Sequence, residues 1–282
     1  MVYIRTKKVK GVQYLYLVKS IWDAKNKTSK QEIVKYLGKA SEVVKDDIPV
    51  EYRDNSKILS VLAAQNPKDI KRREEASDKS RKQLYKKLID GEISSCVKIY
   101  ADYIKIFNTG DFFDKILKPI MFRIGDEWAN NKISIATEHV ASNVAQTLVK
   151  IIMDKETTSG NKKKILVCVP LGEEHHLGCD VIETFLTGKG YKVFNMSSSI
   201  PSDSILYFIK NNNPDIVMVS ITLEDNLKAG QRLIKKIKDD FDVPILVGGY
   251  ALEREKIPNF EAQVITKLTL NELPKIIRTA IS

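Results

Sequence analysis

Residues 165–178 read Ile165-Leu-Val-Cys-Val-Pro170-Leu-Gly172-Glu173-Glu174-His175-His176-Leu177-Gly178. An unbroken apolar run closed by a proline describes a strand buried on both faces, the kind that fills parallel sheets. A loop rich in charge and glycine follows, then a helical pattern from Cys179 to Leu186. The same strand–loop–helix unit recurs downstream. Lys192–Met196 precedes a helix near Ser202–Lys210, Asp215–Ser220 precedes one over Asn226–Lys238, and Pro244–Val247 runs into Gly248-Gly249. A weaker strand at Gln263–Ile265 precedes a last helix at Glu272–Ile281. Five such units predict an α/β domain over residues 162–282, with an open, parallel, five-stranded sheet of flavodoxin-like (Rossmann-type) order 2-1-3-4-5.

Sheets of this kind bind ligands beyond the carboxyl ends of their strands, at the crevice between the first and third. The chemically unusual residues sit at those ends. Glu173, His175 and Gly178 follow the first strand, Ser220 and Thr222 the third, and Gly248 and Gly249 the fourth. A neutral imidazole is a good transition-metal ligand. A ligating histidine usually gives its other N–H to a carboxylate, and Glu173 lies two positions from His175. The glycines allow backbone to approach a bulky ligand, and Ser220 and Thr222 offer hydroxyls to a polar tail. A lone histidine after a strand is more often structural, and His175-His176 with Cys179 can be read as an adventitious metal site. No second CxxC or HxxxH completes a zinc site. No GxGxxG follows the first strand and no Walker A sequence is present, which argues against a dinucleotide or a P-loop.

Upstream, residues 81–157 are almost wholly helical in pattern. Leu84, Leu88, Val97, Tyr100, Tyr103 and Phe107 recur near a 3.6 period, with a break at Asn108-Thr109-Gly110-Asp111. Ile116, Ile120 and Ile124 mark another helix with Pro119 as a kink or restart, and Ser134 N-caps one carrying Val140, Val144 and Leu148. Short loops between them predict an antiparallel four-helix bundle. Trp128 offers a flat apolar wall. Glu138 with Ser142, and His139 with Asn143, form a polar stripe at i, i+4 spacing. Taken alone, Trp128 reads as bundle core and Glu138 as the partner of a lysine.

Residues 1–45 hold 11 Lys/Arg and 3 Asp/Glu, a net of +8 out of +10 for the whole chain. That asymmetry points to a polyanion, with a solvated lysine-rich face as the plain alternative. Two β-rich runs flank Gly11 as a hairpin, and Ser29 to Glu32 has capping-box spacing for a short helix ending at Gly38. The expected unit is a small basic ββα module. Residues 46–80, polar and holding Pro49 and Pro67, read as a linker with some helix, and Thr157–Lys164 as a second linker. Cys96, Cys168 and Cys179 are scattered, which suits a reducing, cytoplasmic setting. No run of roughly eighteen apolar residues exists, and the amino terminus lacks the apolar region of a secretory signal, so no membrane association is expected.

Glu173-x-His175-x-x-Gly178, with Ser220-x-Thr222 and Gly248-Gly249, resembles the cobalamin-binding family of methionine synthase and corrinoid methyl carriers. The resemblance implies that His175 is the cobalt ligand in place of the cofactor's own dimethylbenzimidazole, with the nucleotide tail threaded into the sheet. That family usually has Asp where Glu173 stands. Trp128, nine intervening residues, then Glu138-His139 resembles the Wx9EH pattern of adenosylcobalamin photoreceptors, whose branch accepts Glu at that position. There the cap Trp and Glu surround the adenosyl group. A histidine directly follows that Trp in the light-released repressors, whereas this chain has Ala129. The expected cofactor is adenosylcobalamin, with methylcobalamin as the alternative. The expected function is a cobalamin-dependent sensor, non-enzymatic and homo-oligomeric, with DNA as partner through residues 1–45. A corrinoid methyl carrier serving a separate methyltransferase is the second reading. A nucleic-acid-binding protein with a degenerate cobalamin fold is the third.

Overall fold

The computed structural model describes residues 2–9, 12–23, 28–40, 42–65, 67–155, 163–197, 199–253 and 257–281. Two compact units divide the chain, Met1–Lys79 and Ser80–Ser282.

In the first unit, β1 (Val2–Val9), β2 (Val12–Asp23) and β3 (Thr28–Lys39) form an antiparallel sheet in that order. The β1–β2 hairpin is as expected, although its turn at Gly11 lies outside the described residues. The third element corrects the expected helix: the module is βββ, not ββα. Ile33, Val34 and Tyr36 are β-branched or aromatic, and pairing with β2 satisfies a row of backbone groups that a helix would leave open. Gly38, expected to follow a helix, sits at φ +110° within the strand, where a bulge sets Leu15 against Gly38 and Tyr16 against Tyr36. Leu15 and Leu17 point to the opposite side and are fully buried with Ile48, Ile58 and Leu62. Ile58 and Leu62 belong to α1 (Ser56–Gln65), so residues 46–80 supply core to this module as well as the start of α2 (Pro67–Ile89).

The second unit opens with helices. The end of α2, α3 (Ile93–Tyr103), α4 (Thr109–Phe112), α5 (Lys118–Ala129) and α6 (Ile135–Met153) enclose Leu84, Leu88, Tyr100, Phe112, Phe113, Ile124 and Leu148. The break falls where expected, because the Asn108 side chain accepts from Asp111 N at 2.8 Å. A π-helical turn at Phe113–Leu117 leads into α5, whose second residue is Pro119. Proline lacks the N–H that a regular turn needs there, so the restart and the wider turn go together. Ser134 caps α6 by accepting from Thr137 N at 3.1 Å.

The rest alternates as β4 (Lys164–Cys168), α7 (Leu177–Gly188), β5 (Lys192–Met196), α8 (Ser202–Asn212), β6 (Ile216–Ser220), α9 (Leu227–Asp240), β7 (Ile245–Gly248), β8 (Gln263–Val264) and α10 (Leu273–Ile281). All strand pairs are parallel and the order is β5-β4-β6-β7-β8, the expected 2-1-3-4-5. Leu166, Val217 and Val219 pack beneath α8 and α9, while Ile165, Val167 and Met218 pack beneath α7 and α10. Leu177, Val181 and Leu270 join the helical core, which seats the cap beside α7. Among the described residues no helix is long and apolar enough to cross a membrane.

Candidate functional site

The loop after β4 begins at Val169 and turns at Gly172, whose φ is +92°. That turn drives Glu173 into the protein, where its side chain is fully buried. A buried carboxylate demands partners, and five groups supply them. Glu173 Oε2 accepts from Thr222 N at 2.9 Å, Leu223 N at 3.0 Å and Asn226 Nδ2 at 3.1 Å. Oε1 accepts from His175 N at 3.1 Å and pairs with His175 Nδ1 at 2.8 Å. Burial pushes the carboxyl pKa up, but the hydrogen bonds from His175, Leu223, Asn226 and Thr222 outweigh it and hold the value at about 2. Glu173 therefore stays ionised and ties the β4 loop to the β6 loop.

The consequence falls on His175. With Nδ1–H directed at Glu173, the neutral ring carries its lone pair on Nε2, the nitrogen that Glu173 does not hold. The side chain is about half exposed and lines a cavity of about 930 Å³. That volume lies at the upper end for small-molecule sites, which run to roughly 1,000 Å³, so the ligand it suits is large. The hydrogen bond to Glu173 raises the imidazole pKa, opposed by burial, and Glu138 contributes electrostatically from the cap.

The cavity brings together Trp128, Glu138, His139, His175, Gly178, Ser220, Thr222, Gly248 and Gly249. Glu173 stands behind His175 rather than on the wall. Deeper lining comes from Val167, Met218, Leu246 and Ile265, so the cavity runs from the cap into the apolar face between sheet, α7 and α10. Trp128 is not bundle core: phenylalanines and tyrosines fill that core, while Trp128 remains 46% exposed on the cavity wall. Glu138 pairs with its own helix rather than with a lysine. Its carboxylate accepts from Ser142 Oγ at 2.6 Å and meets His139 Nδ1 at 2.6 Å. Asn143 and Gln146 extend the polar stripe along the same wall.

Three features were not legible from residue types. Asn226, in a short 3-10 turn, is a third anchor for Glu173. Thr222 contributes its backbone N–H to that carboxylate. Gly249, at φ +114°, is required by its own chain, since a Cβ there meets Ile221 O at 2.2 Å. The adventitious-metal reading finds no support: His176 turns to Asp180 at 3.0 Å, burial raises the Cys179 thiol pKa, and no cluster of metal-ligating residues exists among the described ones.

Two family models match the chain, both described as a B12 binding domain, over residues 80–153 and 163–262. A curated relative, the HTH-type transcriptional repressor CarH of Myxococcus xanthus, is 21% identical over 141 residues, which is 49% of this chain and 47% of that protein. Dimethylamine corrinoid protein 3 of Methanosarcina acetivorans is 22% identical over 145 residues, 49% of this chain and 68% of that protein. Among solved structures, the monomethylamine corrinoid protein of Methanosarcina barkeri superposes with a TM-score of 0.60 at 13% identity, over 71% of this chain and 97% of that one. The chain thus spans about half the length of the repressor it matches.

Proposed function

Two B12 binding domains, one helical and one α/β, cover more than half of this chain and make it a cobalamin-binding protein, and from that premise we propose that it is an adenosylcobalamin-dependent sensor whose basic amino-terminal module binds DNA. The residues present fit the cofactor. His175 Nε2 is the ligand available to cobalt, Glu173 holds the ring in the tautomer that ligation needs, and the slot beneath α7 and α10 suits a nucleotide tail. Bound adenosylcobalamin supplies a light-labile cobalt–carbon bond.

The observation that carries the sensor reading is Trp128, left half-exposed on the cap wall with the Glu138–Ser142 pair beside it in a cavity shared with His175. An indole and a carboxylate are the groups that stack on a purine and accept from ribose hydroxyls. Besides the packing of Leu177, Val181 and Leu270 on the helical core, polar and aromatic contacts join the cap to the sheet loops. Asp114 accepts from Leu270 N at 2.8 Å, Lys118 pairs with Glu253 at 2.6 Å, and the Phe122 and Tyr250 rings lie 4.4 Å apart. A cofactor seated in the cavity between cap and sheet loops adds contacts that favour one arrangement of the two, so its loss can bias that arrangement. The wild type is expected to bind adenosylcobalamin and to change its spectrum, and its DNA affinity or oligomer size, on illumination. A sample that stays colourless rejects cobalamin binding, and a coloured sample with no light response rejects the sensor.

Trp128→Ala measures the cap's part. Base–aromatic stacking contributes about 1–3 kcal/mol, so the preference for adenosyl- over methylcobalamin is expected to fall roughly 5- to 150-fold in competitive uptake. An unchanged preference removes Trp128 from the upper site.

The second reading, a corrinoid methyl carrier, draws on Ala129, which replaces the histidine that follows the cap Trp in the repressors. It predicts methylcobalamin preference and methyl transfer to a separate partner enzyme.

A further inference from the structure

The three-stranded sheet of the first unit has two unlike faces. Leu15 and Leu17 are buried with the helix side. The cross-strand register defines the other face in rows; Tyr3, Val18 and Ile33 form an apolar one, with Val18 buried, and the next two carry the cations. Lys7, Tyr14 and Lys39 lie opposite one another, and so do Arg5, Tyr16 and Tyr36. Partners in register share a face, so cations lie at both rims with tyrosines between. The Tyr16 and Tyr36 rings are 5.1 Å apart and Tyr14 and Tyr36 are 6.4 Å apart. Tyr36 is 52% exposed, and Arg5, Lys7, Gln31 and Lys39 are exposed. Arg5 Nη1 donates to Gln31 Oε1 at 3.0 Å. Glu42 approaches the rim, 3.2 Å from Lys39 Nζ.

Stabilising the sheet does not account for this pattern. Cross-strand aromatic pairs contribute only about 0.2–1 kcal/mol each, and like charges at the rims add nothing to it. A polyanion accounts for both rims at once, in line with the net of +8 over residues 1–45, counted from 11 Lys/Arg and 3 Asp/Glu. Geometry then separates the two forms of nucleic acid. The tyrosines pack on one another with only Tyr36 well exposed, so they make a floor rather than separate stacking platforms. The outer strands of three lie about 10 Å apart, so the sheet lies face-on across a major groove about 12 Å wide, with the side chains of that face, rather than its full width, reaching in. Arginine and glutamine are the side chains that read guanine and adenine edges there.

We infer that the Arg5–Lys7–Tyr36–Lys39 face of the amino-terminal sheet docks in the major groove of duplex DNA. This rests on reading residues 1–45 as the output module of the sensor, and it names the surface and the form of the partner.

Adjacent residues on β1 provide the test. Lys7 is on the proposed face, whereas Lys8 pairs with Gln13 on the opposite one, and both are exposed. Binding of the full chain to a short labelled duplex of mixed sequence, and to one of its strands, is measured by fluorescence anisotropy across a salt series. The cofactor spectrum is recorded on the same samples. The wild type is expected to bind the duplex more tightly than the strand, with affinity falling as salt rises. Lys7→Ala is expected to weaken duplex binding several-fold and to reduce the log–log salt slope by about 1, and Arg5→Ala to weaken duplex binding at least as much. Lys8→Ala is expected to leave both unchanged. Equal losses from Lys7→Ala and Lys8→Ala overturn the face, tighter binding of the single strand overturns the duplex, and a wild type that binds neither overturns the surface altogether. A coloured protein that fails these arms leaves the cobalamin site standing. A colourless protein that passes them leaves the DNA surface standing.

Discussion

Glu173→Gln is expected to give a folded protein that takes up cobalamin but no longer ligates cobalt through His175. The substitution keeps the shape of the side chain and removes its charge. An amide oxygen can still accept from Thr222 N, Leu223 N and Asn226, which together hold Oε2. The amide nitrogen then faces His175 N and Nδ1, where the carboxylate had accepted. An NH₂ group cannot accept, so Nδ1 has to become the acceptor and the ring proton moves to Nε2. A protonated Nε2 has no lone pair for a metal. Loss of the carboxylate that orients a metal-ligating histidine typically costs about 10- to 100-fold in metal affinity, and inversion of the tautomer places the effect at the upper end. The visible spectrum should show the histidine-off form, as in His175→Ala, and the melting temperature should fall, because the amide loses the stability of the ionised carboxylate and no longer accepts from His175 N. A histidine-on spectrum in Glu173→Gln shows that the carboxylate does not set the tautomer.

The same pair fixes a pH dependence. The folded-state pKa of Glu173 is lowered to about 2 and that of His175 is raised. A lowered carboxylate contributes stability above its unfolded value of about 4.3, and loses it as pH falls toward about 2. A raised imidazole contributes below its unfolded value of about 6.5, and loses it as pH rises through the folded value. The pair therefore stabilises the cofactor-free domain most between those unfolded values. Cobalt ligation has the opposite requirement at His175, since protonation blocks Nε2. Melting of the cofactor-free protein should weaken as pH rises past neutrality while histidine-on binding strengthens. His175→Ala should remove both trends, and a wild-type melting temperature that rises over that range contradicts the assignment.

Much of this was legible because the second unit is built from local signals. Each parallel strand is an apolar run buried on both sides, each helix has its own period, and the right-handed crossover leaves few orders for five strands. Trp128 and Glu138 could be marked by spacing, although only packing shows that Trp128 stays outside the bundle core. Other features depended on partners far along the chain. Thr28–Lys39 carries Ile33, Tyr36 and Leu37 at a spacing that also suits a helix, and its pairing with β2 is what decides for a strand. Asn226 meets Glu173 across 53 positions. Thr222 acts there through its backbone N–H, on which residue type is silent.

Gly249→Ala is expected to be among the most damaging single substitutions in the α/β domain, although it removes no contact. The residue follows β7 at φ +114°, outside the left-handed well that asparagine tolerates, in a region open essentially to glycine. Such a conformation costs a side-chain-bearing residue about 1–3 kcal/mol. The new Cβ also lies 2.2 Å from Ile221 O and 2.6 Å from Ile221 N. Both are backbone atoms, and the Ile221 N–H and C=O are engaged with Gly248 O at 2.9 Å and Ala251 N at 3.2 Å. They cannot rotate away as a side chain does, so relieving the clash separates the β6 and β7 loops at a further cost of about 1–3 kcal/mol. The sum, about 4 kcal/mol, is a large part of the roughly 5–15 kcal/mol that holds a domain folded. For a unit of this size it corresponds to a fall of about 10 °C in melting temperature. Gly125→Ala is the control, since its Cβ meets nothing within 4 Å and it lies within α5. Alanine there should stabilise by up to about 1 kcal/mol. Because Gly125 lines the cavity, that variant also separates the two effects, with a domain that melts no earlier yet has less room for cofactor. A melting temperature for Gly249→Ala within a few degrees of wild type would show that the β6–β7 loops yield, and that this glycine is kept for the ligand rather than for the chain.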